Sequence, residues 1–208
     1  MQFQAIDHPL VQHKLTLLRD ARTGPKEFRE LLFEITLLLG YAATQDLPLD
    51  EKSVETPVGR ARGSVLRGAQ PVIVPVLRAG LGMTEALLRL LPAAAVGHIG
   101  LARDPRTHLP IEYYRKLPAD TAQRHAIIVD PMLATGGSAA AAISLVKQAG
   151  ARGVTLLCLV AAPEGVRVVQ EQHPDVPIVG AALDERLDDH AYIVPGLGDA
   201  GDRLYGTV

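Results

Sequence analysis

The sequence predicts an α/β protein with a mainly parallel, twisted sheet flanked by helices and a flexible β-hairpin flap. Three observations lead there. Short apolar runs of strand type recur at residues 71–77, 95–101, 126–129, 154–160 and 177–183, with helical patterns between most of them. Regular β-α alternation of this kind implies parallel strands with helices on both faces of the sheet. Two of the runs end on a charged residue, Arg78 and Asp130, and then pass through glycines into a helix. Hydrophobic residues make up 48% of the 208 and aromatic ones only 4%, enough for a substantial and mostly aliphatic core. A single domain over residues 1–208 is expected.

Taken in order, Asp7-His8-Pro9 looks like a helix cap with an early proline, followed by Leu10, Val11, Leu15 and Leu18 at helical spacing. Thr23-Gly24-Pro25 opens a second amphipathic helix, marked by Phe28, Leu31, Leu32, Ile35, Leu38 and Leu39 and ending near Ala43. Both helices precede the first expected sheet strand, which assigns them to packing or to a subunit contact. His8 and His13 have no ligand spacing. Lys14, Arg19, Arg22, Lys26 and Arg29 read as a solvated basic face, with an effector-phosphate site as the alternative. Residues 53–66 alternate around Pro57 and Gly59 as a hairpin or edge pair.

The strand at 71–77 delivers Arg78-Ala79-Gly80-Leu81-Gly82, and a helix follows to Leu91. An arginine in a glycine-containing loop at a sheet edge suits bidentate anion binding, although a surface arginine at a turn has the same pattern. After the strand at 95–101, Arg103-Asp104-Pro105-Arg106-Thr107-His108-Leu109-Pro110 is polar and turn-rich, and residues 111–117 return as a strand. That makes a flap able to close over a substrate, or an exposed hairpin.

The stretch around which the chain is organised is Ala126-Ile127-Ile128-Val129-Asp130-Pro131-Met132-Leu133-Ala134-Thr135-Gly136-Gly137-Ser138. Its strand stops at an acid and so delivers a carboxylate to the C-terminal edge of the sheet, where open α/β folds bind ligands. Gly136-Gly137 lets backbone N–H groups close on an anion at a helix start, with the Thr135 and Ser138 hydroxyls beside them. A phosphate fits this cup and a sugar diol fits the carboxylate. Thr-Gly-Gly-Ser alone also fits an ordinary capped turn; the run from the strand onward sets it apart. Further on, Gly150 ends a helix, residues 154–160 form a strand, Pro163-Glu164-Gly165-Val166 starts a helix, and residues 177–183 form another strand. The glycine-dense segment Tyr192-Ile193-Val194-Pro195-Gly196-Leu197-Gly198-Asp199-Ala200-Gly201-Asp202 formally contains G-x-G-x-x-G. Too few residues follow for the helix and second strand of a dinucleotide-binding unit, so an ordered loop reading a small planar ligand is expected instead. No G-x-x-x-x-G-K-[ST] loop is present, which disfavours a P-loop nucleotide hydrolase.

Net charge is −2, giving no global basic bias toward nucleic acid. Cys158 is the only cysteine, so no intrachain disulfide forms, which suits a reducing, cytoplasmic location. The N-terminus lacks signal-peptide design, and no run approaches the roughly 20 apolar residues of a membrane span.

The motifs together resemble the bacterial-type uracil phosphoribosyltransferases. The similarity runs nearly end to end, through His8-Pro9-Leu10-Val11, Leu77-Arg78-Ala79-Gly80-Leu81-Gly82-Met83, the stretch from Val129 to Ser138, Val160-Ala161-Ala162-Pro163-Glu164-Gly165 and the segment from Tyr192 to Asp202. The stretch ending in Ser138 carries the signature of the type I phosphoribosyltransferase superfamily, and the C-terminal segment that of its uracil branch. The resemblance implies conversion of uracil and phosphoribosyl diphosphate (PRPP) to UMP and diphosphate in pyrimidine salvage, with Mg²⁺ carried on the diphosphate. It implies that Asp130, Pro131, Met132, Leu133, Ala134, Thr135, Gly136, Gly137 and Ser138 hold the ribose 5-phosphate, with the Asp130 carboxylate on the ribose hydroxyls. Arg78 and Arg103 would contact the diphosphate. Ile193, Gly198, Asp199 and Ala200 would bind uracil, largely through main-chain groups, with Asp199 also near PRPP as the candidate catalytic residue. A GTP effector and a dimer or larger homo-oligomer are implied as well. Many relatives in the superfamily carry two successive acids where this chain has Asp130-Pro131, so no protein metal ligand is expected. The chemistry needs anion clamps and water exclusion rather than a nucleophile, and no nucleophile–base pair is evident. Rival readings are a purine or orotate phosphoribosyltransferase, which should lack the C-terminal segment, and a PRPP- or UMP-sensing regulator that binds nucleic acid.

Overall fold

The computed structural model describes residues 3–103 and 110–207, with the Arg103 side chain also outside the described set. Its strands are β1 (Phe3–Ala5), β2 (Leu49–Thr56), β3 (Gly59–Leu66), β4 (Val72–Leu77), β5 (Ala95–Val96), β6 (His98–Arg103), β7 (Pro110–Lys116), β8 (His125–Val129), β9 (Met132–Leu133), β10 (Gly153–Ala161), β11 (Ile178–Leu183), β12 (Arg186–Leu187) and β13 (Ile193–Val194). The helices are α1 (Pro9–Arg19), α2 (Pro25–Ala43), α3 (Leu81–Leu90), α4 (Gly137–Gln148), α5 (Pro163–Gln172) and α6 (Ala200–Tyr205). The main sheet runs β1-β11-β10-β8-β4-β6-β7, with β5 beside β4 and β9 beside β10. All of its pairings are parallel except β6 with β7. The sheet is therefore mainly parallel, as expected, and β6 and β7 form the two strands of the hairpin. The expected flap tip, residues 104–109, lies outside the described residues.

Alternation along each buried strand sends successive side chains to opposite faces. Ile73, Ile127, Val129, Leu157 and Leu159 pack with Val11, Leu15, Leu18, Phe28, Leu32, Ile35 and Leu39 of α1 and α2 and with Met83 and Leu87 of α3. On the other face, Val72, Val74, Ile128, Leu156 and Cys158 pack with Ile143 and Val146 of α4 and Val169 of α5. Both N-terminal helices thus cover the sheet. They are preceded by a strand that the sequence did not suggest: β1 pairs in parallel with β11, Phe3 opposite Ile178, at the sheet's edge.

Two further expectations change, and the hairpin expected around Pro57 and Gly59 is present. The run at 95–101 is split, because β5 pairs with β4 at Val72 and β6 pairs with it again at Val76, with Gly97 between. Residues 49–66 form an antiparallel hairpin that makes its own two-stranded sheet and is mostly exposed. The C-terminal segment does end in a helix, the short α6, whose Leu204 packs into the core beside α2.

Arg19 and Arg29 are not part of a solvated face. Arg19 forks onto Asp184 at 2.8 and 2.6 Å, and Arg29 donates to the Leu204 carbonyl at 2.7 Å. Lys14 pairs with Glu34 at 2.6 Å, while Arg22 and Lys26 make exposed pairs with Asp20 and Glu30.

Helix α5 approaches the chain after β9 backbone to backbone. A Cβ on Gly165 would strike the Ala134 carbonyl and lie 2.8 Å from that of Leu133. Neither is a side chain that can swing aside. Gly165→Ala should lower the unfolding free energy by about 1–3 kcal/mol, as overpacking does, and an unchanged urea midpoint would contradict this packing.

Candidate active site

The C-terminal edge of the sheet gathers the loops that the sequence singles out. β4 hands over to Arg78, β8 to Asp130 and β11 to Asp184. The chain after β8 does not turn straight into a helix. Asp130 accepts the Met132 N–H at 3.2 Å, and the Pro131 carbonyl takes the N–H groups of Leu159 and Val160 at 3.0 and 3.1 Å. β9 then rejoins β10, with Met132 beside Val160. Pro131 and Leu133 are buried, whereas Met132, Ala134, Thr135 and Gly137 are partly open and Ser138 is exposed.

The two glycines of the turn do different things. Gly136 stands at φ 82°, where L side chains are strained, and a Cβ there would lie 2.7 Å from the Gly165 carbonyl. It caps α4 by backbone shape, with no side-chain cap. A Cβ on Gly137 would meet only the Pro110 ring at 3.9 Å and the Thr135 hydroxyl at 4.0 Å. The fold leaves room at Gly137, at the start of α4, where an anion is favoured.

A cavity of about 370 Å³ opens beside this turn and is lined by Asp130, Met132, Ala134, Ile193, Gly198, Asp199 and Ala200, among others. The structure therefore brings the acid of the central stretch and the whole predicted base segment to one space, although they are far apart in sequence. A second cavity of about 200 Å³ shares Asp130, Asp199 and Gly201 and adds Arg78. Ala79, His190 and Ala191 also line the larger space. The sequence reading missed them, and Ala191, at φ 63° in a non-glycine residue, carries no signal in sequence.

Asp130 sits where β8 ends among buried residues. Burial, with the Asp199 carboxylate as a lesser contributor, pushes its carboxyl up to about 7, against a pull down from the Met132 N–H. Asp199 caps α6, its Oδ1 accepting the Asp202 N–H at 2.9 Å. Arg78 is half exposed, with its Nη2 3.5 Å from Asp202 and its guanidinium 5.8 Å from the centre of the Tyr205 ring. The Tyr205 hydroxyl donates to the Arg78 carbonyl at 3.2 Å. The Leu77–Arg78 and Val194–Pro195 peptides are cis. Cys158 is buried in the sheet with its thiol pushed up by burial, which removes it as a nucleophile. Among the described residues no group of three or more His, Cys, Asp or Glu is placed to hold a metal ion. Arg103 is the last residue of β6.

The fold is an α/β one found among phosphoribosyltransferases of known structure. Adenine phosphoribosyl transferase from Trypanosoma brucei, only 14% identical, shares the fold with a TM-score of 0.58 over 95% of this chain and 88% of its own. Residues 5–207 match the family model described as uracil phosphoribosyltransferase, and the chain belongs to that family. It is 61% identical over 201 residues to the uracil phosphoribosyltransferase of Brevibacillus brevis, covering 97% of this chain and 96% of that one. It is equally similar, 61% over 202 residues, to that of Symbiobacterium thermophilum, with 97% of each covered. The solved structure of the AQ2163 protein from Aquifex aeolicus is 39% identical and superposes with a TM-score of 0.93 over 98% of both chains.

The Asp130 environment has a measurable consequence. Between about pH 4 and pH 7 the folded protein keeps a proton on Asp130 that the unfolded chain has released. The folded state binds more protons in that window, so this group's contribution to stability falls as pH rises through it and is level above. Asp130→Asn should therefore raise the thermal midpoint more at pH 8 than at pH 5. Equal gains at both would show that the carboxyl is not held high.

Proposed function

We propose that the protein transfers the phosphoribosyl group of PRPP to uracil, giving UMP and diphosphate in pyrimidine salvage. The observation that carries this reading is the shared cavity, with the Asp130 turn on one side and Ile193, Gly198, Asp199 and Ala200 on another. In this reading a bond forms between uracil N1 and ribose C1 as the bond from C1 to diphosphate breaks, and the N1 proton is released to solvent. Positive charge develops on the sugar and negative charge on the leaving group, so stabilisation comes from placed charges and dipoles. The 5-phosphate enters at Gly137, where the fold leaves room above the start of α4. Asp130 takes the ribose hydroxyls and, once ionised, faces the developing positive charge. Arg78, half exposed beside the smaller cavity, turns to the diphosphate. Asp199, lining both cavities, takes the catalytic place. The hairpin rooted at Arg103 closes over the reacting atoms and excludes water.

Mg²⁺ fits this reading as an ion carried on the diphosphate and held by substrate phosphates and waters, with no protein ligand required. Mg²⁺ bound with the diphosphate would neutralise charge on the leaving group. GTP activation and assembly into a homo-oligomer extend the reading by family resemblance. No helix among the described residues is long and apolar enough to cross a membrane, and a cytoplasmic location belongs to this same proposal. Nothing in the comparisons favours a nucleic-acid-binding regulator, since the relatives named are transferases. Radiolabelled uracil incubated with PRPP and Mg²⁺ and chased for UMP tests the activity directly.

Gly137→Val should leave the fold intact, because the space it enters is open, yet abolish PRPP binding by filling the place of the phosphate. Undiminished PRPP binding by calorimetry in a folded variant would refute the cup.

Base choice should follow from the fixed polarity of main-chain groups. Uracil offers acceptor O4 beside donor N3–H, and cytosine reverses both. A site built for the first should therefore discriminate by roughly 10⁴. Ala200 opens α6, where proline is tolerated, and Asp199 before it is already extended at φ −83°, ψ 114°. Ala200→Pro thus removes one amide donor without breaking the helix, and it should raise KM for uracil. Comparable initial rates for uracil and cytosine, or an unaffected proline variant, would place base reading elsewhere.

A further inference from the structure

The base segment lines its cavity with small residues and main chain, and what fixes its shape lies behind it. Arg19, at the end of α1, sends Nη1 to Asp184 Oδ2 at 2.8 Å and Nη2 to Oδ1 at 2.6 Å. The same Nη1 donates to the Gly196 carbonyl at 2.5 Å, and Asp184 Oδ2 accepts the Gly196 N–H at 2.9 Å. Both polar groups of one peptide residue are thus held by the two members of a single ion pair. Gly196 sits at φ 58°, and a Cβ there would overlap the Ile193 carbonyl, so the turn is tight as well as tethered. Asp184 is itself fixed to the sheet, its N–H donating to the Ala161 carbonyl at the end of β10 at 2.8 Å. Its side chain is 4% exposed and that of Arg19 is 21% exposed, so water competes little for these bonds. Arg203 extends the support: it donates to the next carbonyl, Leu197, at 2.9 Å and lies 4.5 Å from the centre of the Phe28 ring of α2.

We propose that the Arg19–Asp184 pair is a positioning device for base recognition, clamping the Gly196 turn so that the groups of Gly198 to Ala200 present one fixed polarity to the cavity. This rests on the reading of that segment as the uracil site. Neither residue lines the cavity, so they act through the loop and touch no substrate. Rigid support behind the contacting atoms is what fixed-polarity recognition needs, because a loop free to tilt would accept either base pattern. Apart from Asp199, the groups assigned to PRPP lie outside the clamped loop, most of them on the turn after β8.

The test is Arg19→Lys, which keeps the charge and loses the fork. It should raise KM for uracil by about tenfold or more and narrow the preference for uracil over cytosine, with KM for PRPP nearly unchanged. Arg124→Lys is the matched control. Arg124 also forks onto a carboxylate, Asp120, at 2.9 and 2.6 Å and donates to a carbonyl, that of Gln70, far from the cavity. It should lower the thermal midpoint and leave both KM values alone. If Arg19→Lys does not fold, Asp184→Asn, which keeps the shape and one acceptor, is read the same way. A rise in KM for both substrates alike, or a loss of stability with KM for uracil intact, overturns the proposal. Ala200→Pro separates the two levels. If it raises KM for uracil and Arg19→Lys does not, the clamp is wrong and the site stands. If neither does, the site assignment falls and the clamp with it.

Discussion

The site depends on ending a buried strand at a carboxylate. Asp130 follows Val129, which is fully buried, and stands with little water and near a second carboxylate. Such a group is unfavourable as an anion until something supplies positive charge or hydroxyl donors. A carboxyl in this setting suits a ligand that brings hydroxyl donors or positive charge. The structure accommodates it with one main-chain bond, from Met132, and leaves the rest of its hydrogen-bonding capacity directed to the cavity edge.

The same logic explains the turn that follows. Gly136 is required by the fold, with its positive φ and its contact with α5, whereas Gly137 is required by nothing the fold contains. Adjacent glycines that look alike in sequence thus separate into a structural one and one whose missing side chain leaves space. The packing of Gly165 on Ala134 belongs with the first kind, since it fixes the rear wall against which the turn is built.

Much of this was legible in the sequence because it is local. The stretch from Ala126 to Ser138 carries strand, acid, glycine turn and helix start in contiguous order, and its strand reads as an unbroken apolar run. The boundaries that failed are those set by partners elsewhere. β1, three residues long, is a strand only because Ile178 to Gly180 offer it an edge. The run at 95–101 breaks because β4 pairs with it twice. The G-x-G-x-x-G segment correctly fails as a dinucleotide fingerprint, yet the residues after it form a helix because Asp199 caps it and Leu204 has a core to enter. Arg19 and Arg29 looked solvated because a helical wheel shows which face is polar and not what lies opposite. The carbonyls and carboxylate they meet come from residues 165 or more positions away.

That contrast divides the site into two halves of different origin. The turn proposed for the anion is encoded in one short run of chain, from Ala126 to Ser138. The base half is assembled from the chain's two ends: α1 and α2 supply Arg19 and Phe28, and the C-terminal segment supplies the loop and Arg203. The structural relative that is 14% identical shares the fold with a TM-score of 0.58, while the 39% identical one reaches 0.93 over nearly the whole chain. A ligand common to a whole fold can be bound by a local motif, but discrimination between similar bases needs a loop whose main-chain groups cannot tilt. In this chain we assign that rigidity to long-range side-chain bonds to the loop's backbone, from Arg19, Asp184 and Arg203. On the proposed reading the N-terminal helices serve base choice as well as covering the sheet.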